Sequence, residues 1–221
     1  MKLTDEVKKR FEYRYKVGKT PWMRPAIEDD IKEFAKMAKK EFRGGKVLDL
    51  GCGTGWLSIY LAKQGFKVKG IDSAPTAIKR AKEAARKAKA KADFKAGDAL
   101  DFKYGNHEFD IVIDRGMLHH VPEKEWSGYK KGIMKILKPN GLFYLMVFSD
   151  KSKKKGFNPK SGRMWRRVKE EGGQWAYDHF FNKAIVMKTF GKNFKMINFD
   201  KEAKASPQGS LLLYFTLRKL N

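Results

Sequence analysis

The sequence predicts an α/β fold in which helices cover both faces of a mostly parallel sheet. Between Lys46 and Phe148, short runs rich in Val, Ile, Leu and Phe alternate with helical patterns, which is typical of βαβ units. The chain has 221 residues, of which 42% are hydrophobic, so it is long enough to bury one sizeable core. We therefore expect a single doubly wound domain over residues 1–221.

Five strands and two helices are predicted for the central part of the chain. The strands are KVLDL (46–50), FKVKGID (66–72), ADFKAGD (92–98), FDIVID (109–114) and LFYLMVFS (142–149). One helix is predicted over 73–92, with Ser73 as its N-cap and Pro75 in its first turn. A second helix is predicted over 122–137, and the KPNG sequence at 138–141 predicts a turn into the fifth strand.

The flanking segments predict further helices and a C-terminal hairpin. Residues 25–42 place apolar side chains on one helical face, which is most simply explained as core packing. After Ser149 the basic segment 150–173 predicts a long loop or lid. A helix near 181–191 follows, and the strands 194–200 and 210–220, separated by SPQG, would close the sheet edge as a hairpin. The apolar positions of the first of these segments are Ile27, Ile31, Phe34, Ala38 and Phe42.

Charge and cysteine content limit the classes of function. With 49 Lys and Arg against 25 Asp and Glu, the formal net charge is +24, which would attract polyanions. Background composition is an equally good explanation of this charge. Cys52 is the only cysteine, so an intrachain disulfide and a multi-thiolate metal site are excluded, and a cytoplasmic location is expected. We expect no metal site, and the sequence shows no apolar run of about 18 residues that could cross a membrane.

A glycine loop follows the first strand in VLDLGCGTGWLS, residues 47–58. It differs from the dinucleotide pattern Gly-x-Gly-x-x-Gly, because Trp56 stands where the last glycine of that pattern would be. Asp49 precedes the loop by two positions, and its carboxylate would repel a diphosphate and attract a cation. The loop therefore favours a ligand that is positively charged near Asp49. Cys52 is interpreted as a filler within the loop.

The longer run VLDLGCGTGWLSIYLA resembles the first motif of class I S-adenosylmethionine-dependent methyltransferases, and further motifs follow in that family's order up to Phe148. The resemblance implies a Rossmann-like, doubly wound, seven-stranded and mostly parallel sheet with an antiparallel C-terminal hairpin strand. It also implies S-adenosyl-L-methionine as cofactor and S-adenosyl-L-homocysteine as product.

The same resemblance assigns cofactor contacts to individual residues. Asp72 would take the ribose hydroxyls, Asp98 and Ala99 would contact the adenine, and Asp114 would border both the cofactor and the acceptor pocket. Each of these residues, taken alone, could instead be a turn residue or a helix cap. The residues implied for the methionine part of the cofactor are Asp49, Gly51, Gly53 and Gly55.

Residues after the fourth strand are the candidates for acceptor chemistry. The RGMLHHVP stretch provides Arg115, His119 and His120, and histidine is well matched to proton transfer near neutral pH. His119 and Asp114 are the predicted catalytic residues, and Arg115 is a predicted acceptor contact. The alternative is that the histidines only pack the turn. The Asn/Asp-Pro-Pro-aromatic sequence of enzymes that methylate base amines is absent here, which argues against that activity.

The N-terminal run FEYRYKVGKTPWMRP resembles the opening segment of thiopurine, thiol and halide methyltransferases and of their tellurite-resistance relatives. That resemblance implies that residues 1–43 form a helical lid in which Trp22 covers the site and Tyr15 and Arg24 lie near it. If Trp22 is only a surface anchor for the next helix, this acceptor assignment loses support. Residues 44–149 would then be the cofactor-binding core, and residues 150–221 the basic acceptor-side insertion and hairpin.

The predicted function is methyl transfer by in-line displacement to a small-molecule nucleophile, such as a thiol, a halide or a similar anionic compound. The bases of the 150–173 segment would suit an anionic substrate, or RNA with Trp165 available for stacking. An RNA or protein methyltransferase, and a non-catalytic module that binds the cofactor or RNA, are the alternatives. The sequence leaves the oligomeric state open. The bases in question are Lys151–Lys155, Arg163, Arg166 and Arg167.

Overall fold

A computed structural model describes residues 5–22, 27–101, 103–154, 156–158, 160, 163–170, 173, 175–205 and 210–221. Its helices are α1 (Asp5–Lys16), α2 (Asp29–Glu41), α3 (Trp56–Lys63), α4 (Pro75–Lys87), α5 (Trp126–Ile136) and α6 (Lys183–Phe190). Its strands are β1 (Lys46–Leu50), β2 (Lys67–Asp72), β3 (Ala92–Ala96), β4 (Phe109–Arg115), β5 (Leu137–Phe148), β6 (Trp165–Lys169), β7 (Trp175–His179), β8 (Phe194–Ala205) and β9 (Leu211–Lys219).

The main sheet has seven strands in the order β3-β2-β1-β4-β5-β9-β8. The first five of these strands run parallel to one another, whereas β9 pairs antiparallel with both β5 and β8. The order reverses between β1 and β4, which is the position where open α/β sheets leave a crevice at the carboxyl ends of their strands. The predicted doubly wound fold with an antiparallel C-terminal hairpin is confirmed.

Successive side chains of the central strands point to opposite faces of the sheet, and each face has its own hydrophobic core. On β1, Val47 packs on the face covered by α2 and α3, while Leu48 packs on the face covered by α5 and α6. Ile31 and Phe34 of α2 are buried against the first face, as the helical pattern predicted. Tyr129 of α5 is fully buried on the second face. Because both faces are covered, the carboxyl ends of the strands are held in fixed positions.

Several predicted boundaries differ from the structure. The predicted turn at 138–141 lies inside β5, where the pairing with β4 shifts between Phe109 and Ile111. The helix predicted over 73–92 ends at Lys87, and its N-cap is Ala74 rather than Ser73. β8 continues to Ala205, beyond its predicted end, and the SPQG connection lies outside the described residues.

The basic segment after Ser149 contains a strand that the sequence did not predict. β6 pairs antiparallel with β7 as a separate two-stranded sheet, here called the β6–β7 hairpin. Residues of β7 contact α1 and the short 3-10 helix Leu118–His120 that follows β4. The hairpin and α1 therefore stand over the carboxyl ends of the parallel strands.

Candidate active site

A cavity of about 210 Å³ lies at the carboxyl ends of β1, β2, β4 and β5, beneath α1 and the β6–β7 hairpin. Nine of the predicted site residues line it. Gly55, Asp98 and Asp114 do not line it, and Arg24 lies outside the described residues. The nine are Tyr15, Trp22, Asp49, Gly51, Gly53, Asp72, Ala99, Arg115 and His119.

The glycine loop after β1 shapes one wall of this cavity. Gly53 has a φ of 55°, and a Cβ there would lie 2.5 Å from the hydroxyl oxygen of Tyr15. Gly55 has a φ of 76°, and a Cβ there would lie 2.6 Å from Cζ of Phe94 on β3. A side chain is thus excluded at both positions, for different reasons. Gly53 leaves room for groups on the cavity side, whereas Gly55 permits the loop to pack on the sheet.

Two buried carboxylates, Asp49 and Asp72, face the cavity. Asp49 accepts a hydrogen bond of 2.6 Å from the Ser58 hydroxyl, and burial raises the pKa of Asp49 to about 7. Asp72 accepts hydrogen bonds of 2.8 Å from the backbone N–H groups of Gly53 and Ala74, and burial raises its pKa as well. In the described part of the chain, no Lys or Arg forms an ion pair with either carboxylate. A ligand carrying positive charge would compensate both groups, so the site fits S-adenosylmethionine.

Asp98 and Ala99 lie at the turn after β3. Asp98 accepts a hydrogen bond of 2.9 Å from the Leu100 N–H, and its other oxygen lies 3.1 Å from Nζ of Lys8 on α1. Ala99 is buried and lines the cavity. The structure therefore brings Ala99 to the site, and it uses Asp98 to connect α1 to this turn.

Asp114, at the end of β4, is fully buried, and both of its oxygens accept hydrogen bonds. The donors are the backbone N–H groups of Gly116, Met117 and Leu118 and the hydroxyl of Tyr129, the last at 2.7 Å. Burial raises the pKa of Asp114 to about 6, against the opposing effect of these donors. The carboxylate therefore fixes the turn that leads to the histidine pair, and it does not line the cavity.

His119 and His120 both reach the cavity, in different environments. His119 stacks on Phe148 with ring centroids 3.6 Å apart, and its Nδ1 has no hydrogen-bond partner among the described residues. Burial lowers the pKa of His119 well below its ordinary value, so the ring is neutral at physiological pH. Nδ1 of His120 lies 3.1 Å from both the Tyr177 carbonyl oxygen and an Asp178 oxygen. His119 is thus the histidine with a ring nitrogen available to an acceptor.

The N-terminal segment covers the glycine loop. The indole N–H of Trp22 donates to the Tyr15 hydroxyl at 3.1 Å, and Phe11 meets Trp22 edge-to-face with centroids 5.4 Å apart. Tyr15 is almost completely buried above Gly53. Trp22 and Tyr15 therefore lie beside the glycine loop, and their role as a lid stays a prediction.

Arg115 lines the cavity with its charge already paired. Its guanidinium forms an ion pair with Glu28, and it lies 5.0 Å from the ring centroid of Trp56. The positive charge of Arg115 is therefore compensated within the chain, which leaves it less available to an acceptor than the sequence predicted.

Sequence reasoning missed a group of charged residues at the end of the cavity beneath the β6–β7 hairpin. Two carboxylates there lie among several bases, and all of them line the cavity. The basic segment indicated the lysine and one arginine of this group, but no motif indicated the carboxylates. The group comprises Arg10, Arg14, Lys154, Arg166, Glu170 and Asp178.

Residues 47–141 match the family model described as "Methyltransferase domain", which covers the glycine loop and all four strand ends of the predicted motifs. The match identifies residues 47–141 of this chain as a methyltransferase domain. The predicted family is thus confirmed, whereas the narrower likeness to thiopurine, thiol and halide enzymes stays a prediction. No helix in the described part of this methyltransferase is long and apolar enough to cross a membrane.

Individual relatives agree with this family. The methyltransferase is 29% identical over 154 residues to a 2-heptyl-1-hydroxyquinolin-4(1H)-one methyltransferase of Mycobacteroides abscessus, covering 66% of each chain. It is 32% identical over 123 residues to a ubiquinone biosynthesis O-methyltransferase of Pelagibacter ubique, covering 55% of this chain and 50% of that protein. The matches therefore span between half and two thirds of these relatives' length.

A solved structure agrees with the fold over nearly the whole chain. The 1,6-didemethyltoxoflavin-N1-methyltransferase of Burkholderia thailandensis, solved with bound 1,6-didemethyltoxoflavin and S-adenosylhomocysteine, superposes with a TM-score of 0.72. The superposition covers 98% of this chain and 88% of that chain at 20% sequence identity. At this identity the likeness establishes the fold, and the arguments about the site rest on the residues of this chain.

Proposed function

We propose that this methyltransferase transfers the methyl group of S-adenosylmethionine to a small-molecule nucleophile by in-line displacement. The observation that carries the proposal is the composition of the cavity. One end has the glycine loop and two buried carboxylates without a cationic partner, and the other end has His119, an aromatic wall and a charged group. Because both ends belong to the same cavity, a cofactor and an acceptor bound there would be neighbours.

For the cofactor, we assign Asp72 to the ribose hydroxyls, Ala99 to the adenine side, and Asp49, Gly51 and Gly53 to the charged methionine part. The cofactor supplies the methyl group of its sulfonium. The rest of the cofactor leaves as S-adenosylhomocysteine. The chain itself must orient the two reactants and exclude water. Tyr15 and Trp22 cover the loop from the solvent side.

Asp98, Asp114 and Gly55 receive supporting roles in this proposal. Asp98 connects the turn after β3 to Lys8 of α1. Asp114 holds the turn that carries His119, so it is a positioning residue rather than a group that reacts. Gly55 allows the loop to pack against Phe94.

An oxygen acceptor is favoured over the thiol or halide that the sequence predicted. A thiol or a halide needs little proton removal, whereas a hydroxyl needs a base at hydrogen-bond distance. His119 is neutral and lines the cavity, and its Nδ1 has no hydrogen-bond partner among the described residues, so we assign His119 as the proton acceptor. The names of the two curated relatives, a hydroxyquinolinone methyltransferase and an O-methyltransferase, support the same preference. We further propose a cytoplasmic location, because a chain with one cysteine has no intrachain disulfide of the kind typical of oxidising compartments.

The test is transfer of labelled methyl from S-adenosylmethionine into desalted and undesalted extract of the source cells, with products separated by size. We expect label in the small fraction only when small metabolites are present. Label in the large fraction that nuclease or protease removes would instead support the RNA or protein alternative, which the +24 charge motivates. Cofactor binding with no labelled product would support the non-catalytic module.

A single substitution tests the cofactor half of the proposal. Asp72→Ala should weaken S-adenosylmethionine binding by about 1–3 kcal/mol, because an ionic hydrogen-bond acceptor is lost. The matched control is Asp93→Ala, which removes an exposed carboxylate from the neighbouring strand β3. Calorimetry measures both affinities, and equal affinities for Asp72→Ala and the unmodified protein would refute the ribose assignment.

A further inference from the structure

The end of the cavity next to the β6–β7 hairpin contains more positive than negative side chains. Four bases and two carboxylates line it, and we call this set the basic wall. Its members come from α1, from the segment after β5 and from the hairpin, so they meet only in the folded chain. The basic wall consists of Arg10, Arg14, Lys154, Arg166, Glu170 and Asp178.

The two carboxylates of the basic wall form ion pairs with its arginines. Glu170 receives hydrogen bonds of 2.9 Å from Arg10 Nε and 2.6 Å from Arg14 Nη2. Asp178 receives a hydrogen bond of 2.7 Å from Arg166 Nε. Although burial acts to raise it, His120, Lys154 and Arg166 hold the pKa of Asp178 well below its ordinary value. Both carboxylates are therefore ionised and already engaged with guanidinium groups.

Lys154 differs from the arginines of the basic wall. Only 12% of its side chain is exposed, and its Nζ lies 3.8 Å from the ring centroid of Phe148. Among the described residues, the Lys154 ammonium pairs with an Asp178 oxygen at 3.9 Å, which is beyond hydrogen-bond distance. Burial lowers the pKa of Lys154 to about 8, so the ammonium form still predominates at neutral pH. In the part of the chain that the structure describes, the Lys154 ammonium has a long ion pair with Asp178 and the face of Phe148, and no hydrogen-bond acceptor, so a ligand oxyanion would complete its environment.

Apolar and aromatic side chains border Lys154 within the same cavity. Phe148 lies between the Lys154 ammonium and His119, since it contacts one and stacks on the other. Phe11 meets His120 edge-to-face with centroids 5.1 Å apart, and it also lines the cavity. These rings suit a flat apolar body, while the ammonium suits an oxyanion at its edge.

We propose that the acceptor is a small organic anion, whose oxyanion binds Lys154 and whose apolar body lies against Phe148 and Phe11. The oxyanion can be a carboxylate, a phosphate or an ionised hydroxyl, which share this chemistry. The proposal deepens the proposed function and rests on it. It also gives the acceptor site a residue, Lys154, whose role the sequence left as that of one base among many.

The experiment separates the small metabolites of the source cells into anionic, neutral and cationic pools by ion exchange at neutral pH. Each pool is incubated with the protein and labelled S-adenosylmethionine. We expect the labelled product from the anionic pool. Once the product is isolated, its phosphatase sensitivity, carboxylate reactivity and site of methylation distinguish a phosphate, a carboxylate and an ionised hydroxyl.

Substitution of Lys154 tests the residue directly with the active anionic pool. Lys154→Met should lower the rate at limiting acceptor at least about tenfold with unchanged S-adenosylmethionine affinity, whereas Lys154→Arg should retain more of the rate. The melting temperature of Lys154→Met should not fall, because a buried charge is removed. Lys188→Met is the matched control, since Lys188 is exposed on α6 and does not line the cavity, so this substitution should leave the rate unchanged.

The outcomes separate the two proposals. Label from the neutral or cationic pool alone would overturn the anionic acceptor and leave methyl transfer to a small molecule standing. Label from none of the pools would overturn the proposed function, and this inference with it. An unchanged rate for Lys154→Met with an anionic acceptor would show that the oxyanion binds elsewhere.

Discussion

Asp49 is a buried carboxyl group that forms no ion pair with a Lys or Arg among the described residues. A bound ligand could supply the missing positive charge. Its pKa of about 7 means that near neutral pH a substantial fraction of the protein carries a proton there. A positive charge bound nearby favours the carboxylate and lowers this pKa. Binding of the positively charged cofactor and loss of this proton are therefore coupled.

S-adenosylmethionine binding should release a proton from Asp49, and the affinity should rise with pH from about 6 to about 8. The sign follows from the raised pKa, because at lower pH the cofactor must first displace a proton. Calorimetry in two buffers of different ionisation enthalpy measures the proton release. The Asp49→Asn variant should show a smaller pH dependence, and identical proton release by both proteins would contradict the assignment.

At the scale of single residues, the sequence predicted best where one short motif contains the whole interaction. Asp49 and Gly53 belong to a contiguous motif, so their position beside the cavity followed from the strand and its loop. Asp114 was placed at the right strand end, but its oxygens accept from the turn that folds back on it. That turn, rather than the strand, determines which direction the carboxylate faces, and the sequence pattern does not show its geometry.

At the scale of elements, α1 connects the two ends of the cavity. On the cofactor side, the Glu12 carboxylate accepts from the Thr76 N–H at 3.1 Å and from its hydroxyl at 2.7 Å, at the start of α4. On the acceptor side, Arg10 and Arg14 bind Glu170 after β6. The same helix thus contacts the half that would hold the cofactor and the half that would hold the acceptor.

Glu170→Gln should loosen α1 from the hairpin. The substitution removes the negative charge between two arginines, and it should weaken this attachment by about 1–3 kcal/mol. We expect faster trypsin cleavage within α1 and a larger increase in KM than loss of kcat. The control is Glu6→Gln, because Glu6 and its partner Arg167 are mostly exposed and their ion pair contributes little. Equal cleavage rates for Glu170→Gln and the control would contradict the role of Glu170 in attaching α1 to the hairpin.

The parallel half of the sheet was predictable because short runs containing Val, Ile, Leu or Phe recur along the chain, and β1, β2 and β4 each lead through a polar strand end into a helix. The β6–β7 hairpin was not predicted, because β6 is rich in charged residues and lies in a basic segment, and because a Gly-Gly pair precedes β7. The contacts that make the hairpin part of the site join residues that are distant in the sequence. Arg10 and Glu170, for instance, are separated by 160 positions.

At the scale of the whole molecule, the excess positive charge extends far from the cavity. A second groove lies at the amino ends of β1, β2 and β3, opposite the carboxyl ends that form the cavity. Five lysines line it, and Lys46 and Lys67 are direct neighbours in the pairing of β1 with β2. Like charges on adjacent strands repel, so this groove opposes folding at low salt. The lysines are Lys46, Lys67, Lys69, Lys89 and Lys91.

Lys67→Glu should therefore stabilise the protein at low salt by about 0.5–1 kcal/mol, which corresponds to about 1–4 °C in melting temperature. The gain should diminish as salt rises from about 0.02 M to about 1 M, because screening weakens both the original repulsion and the new attraction. Lys67→Gln, which removes the repulsion without adding an attraction, should lie between the two proteins. A gain that is the same at both salt concentrations would show a cause other than charge. Methyl transfer should be unchanged in both variants, because Lys67 is exposed at the amino end of β2, whereas the cavity lies at the carboxyl ends of the strands.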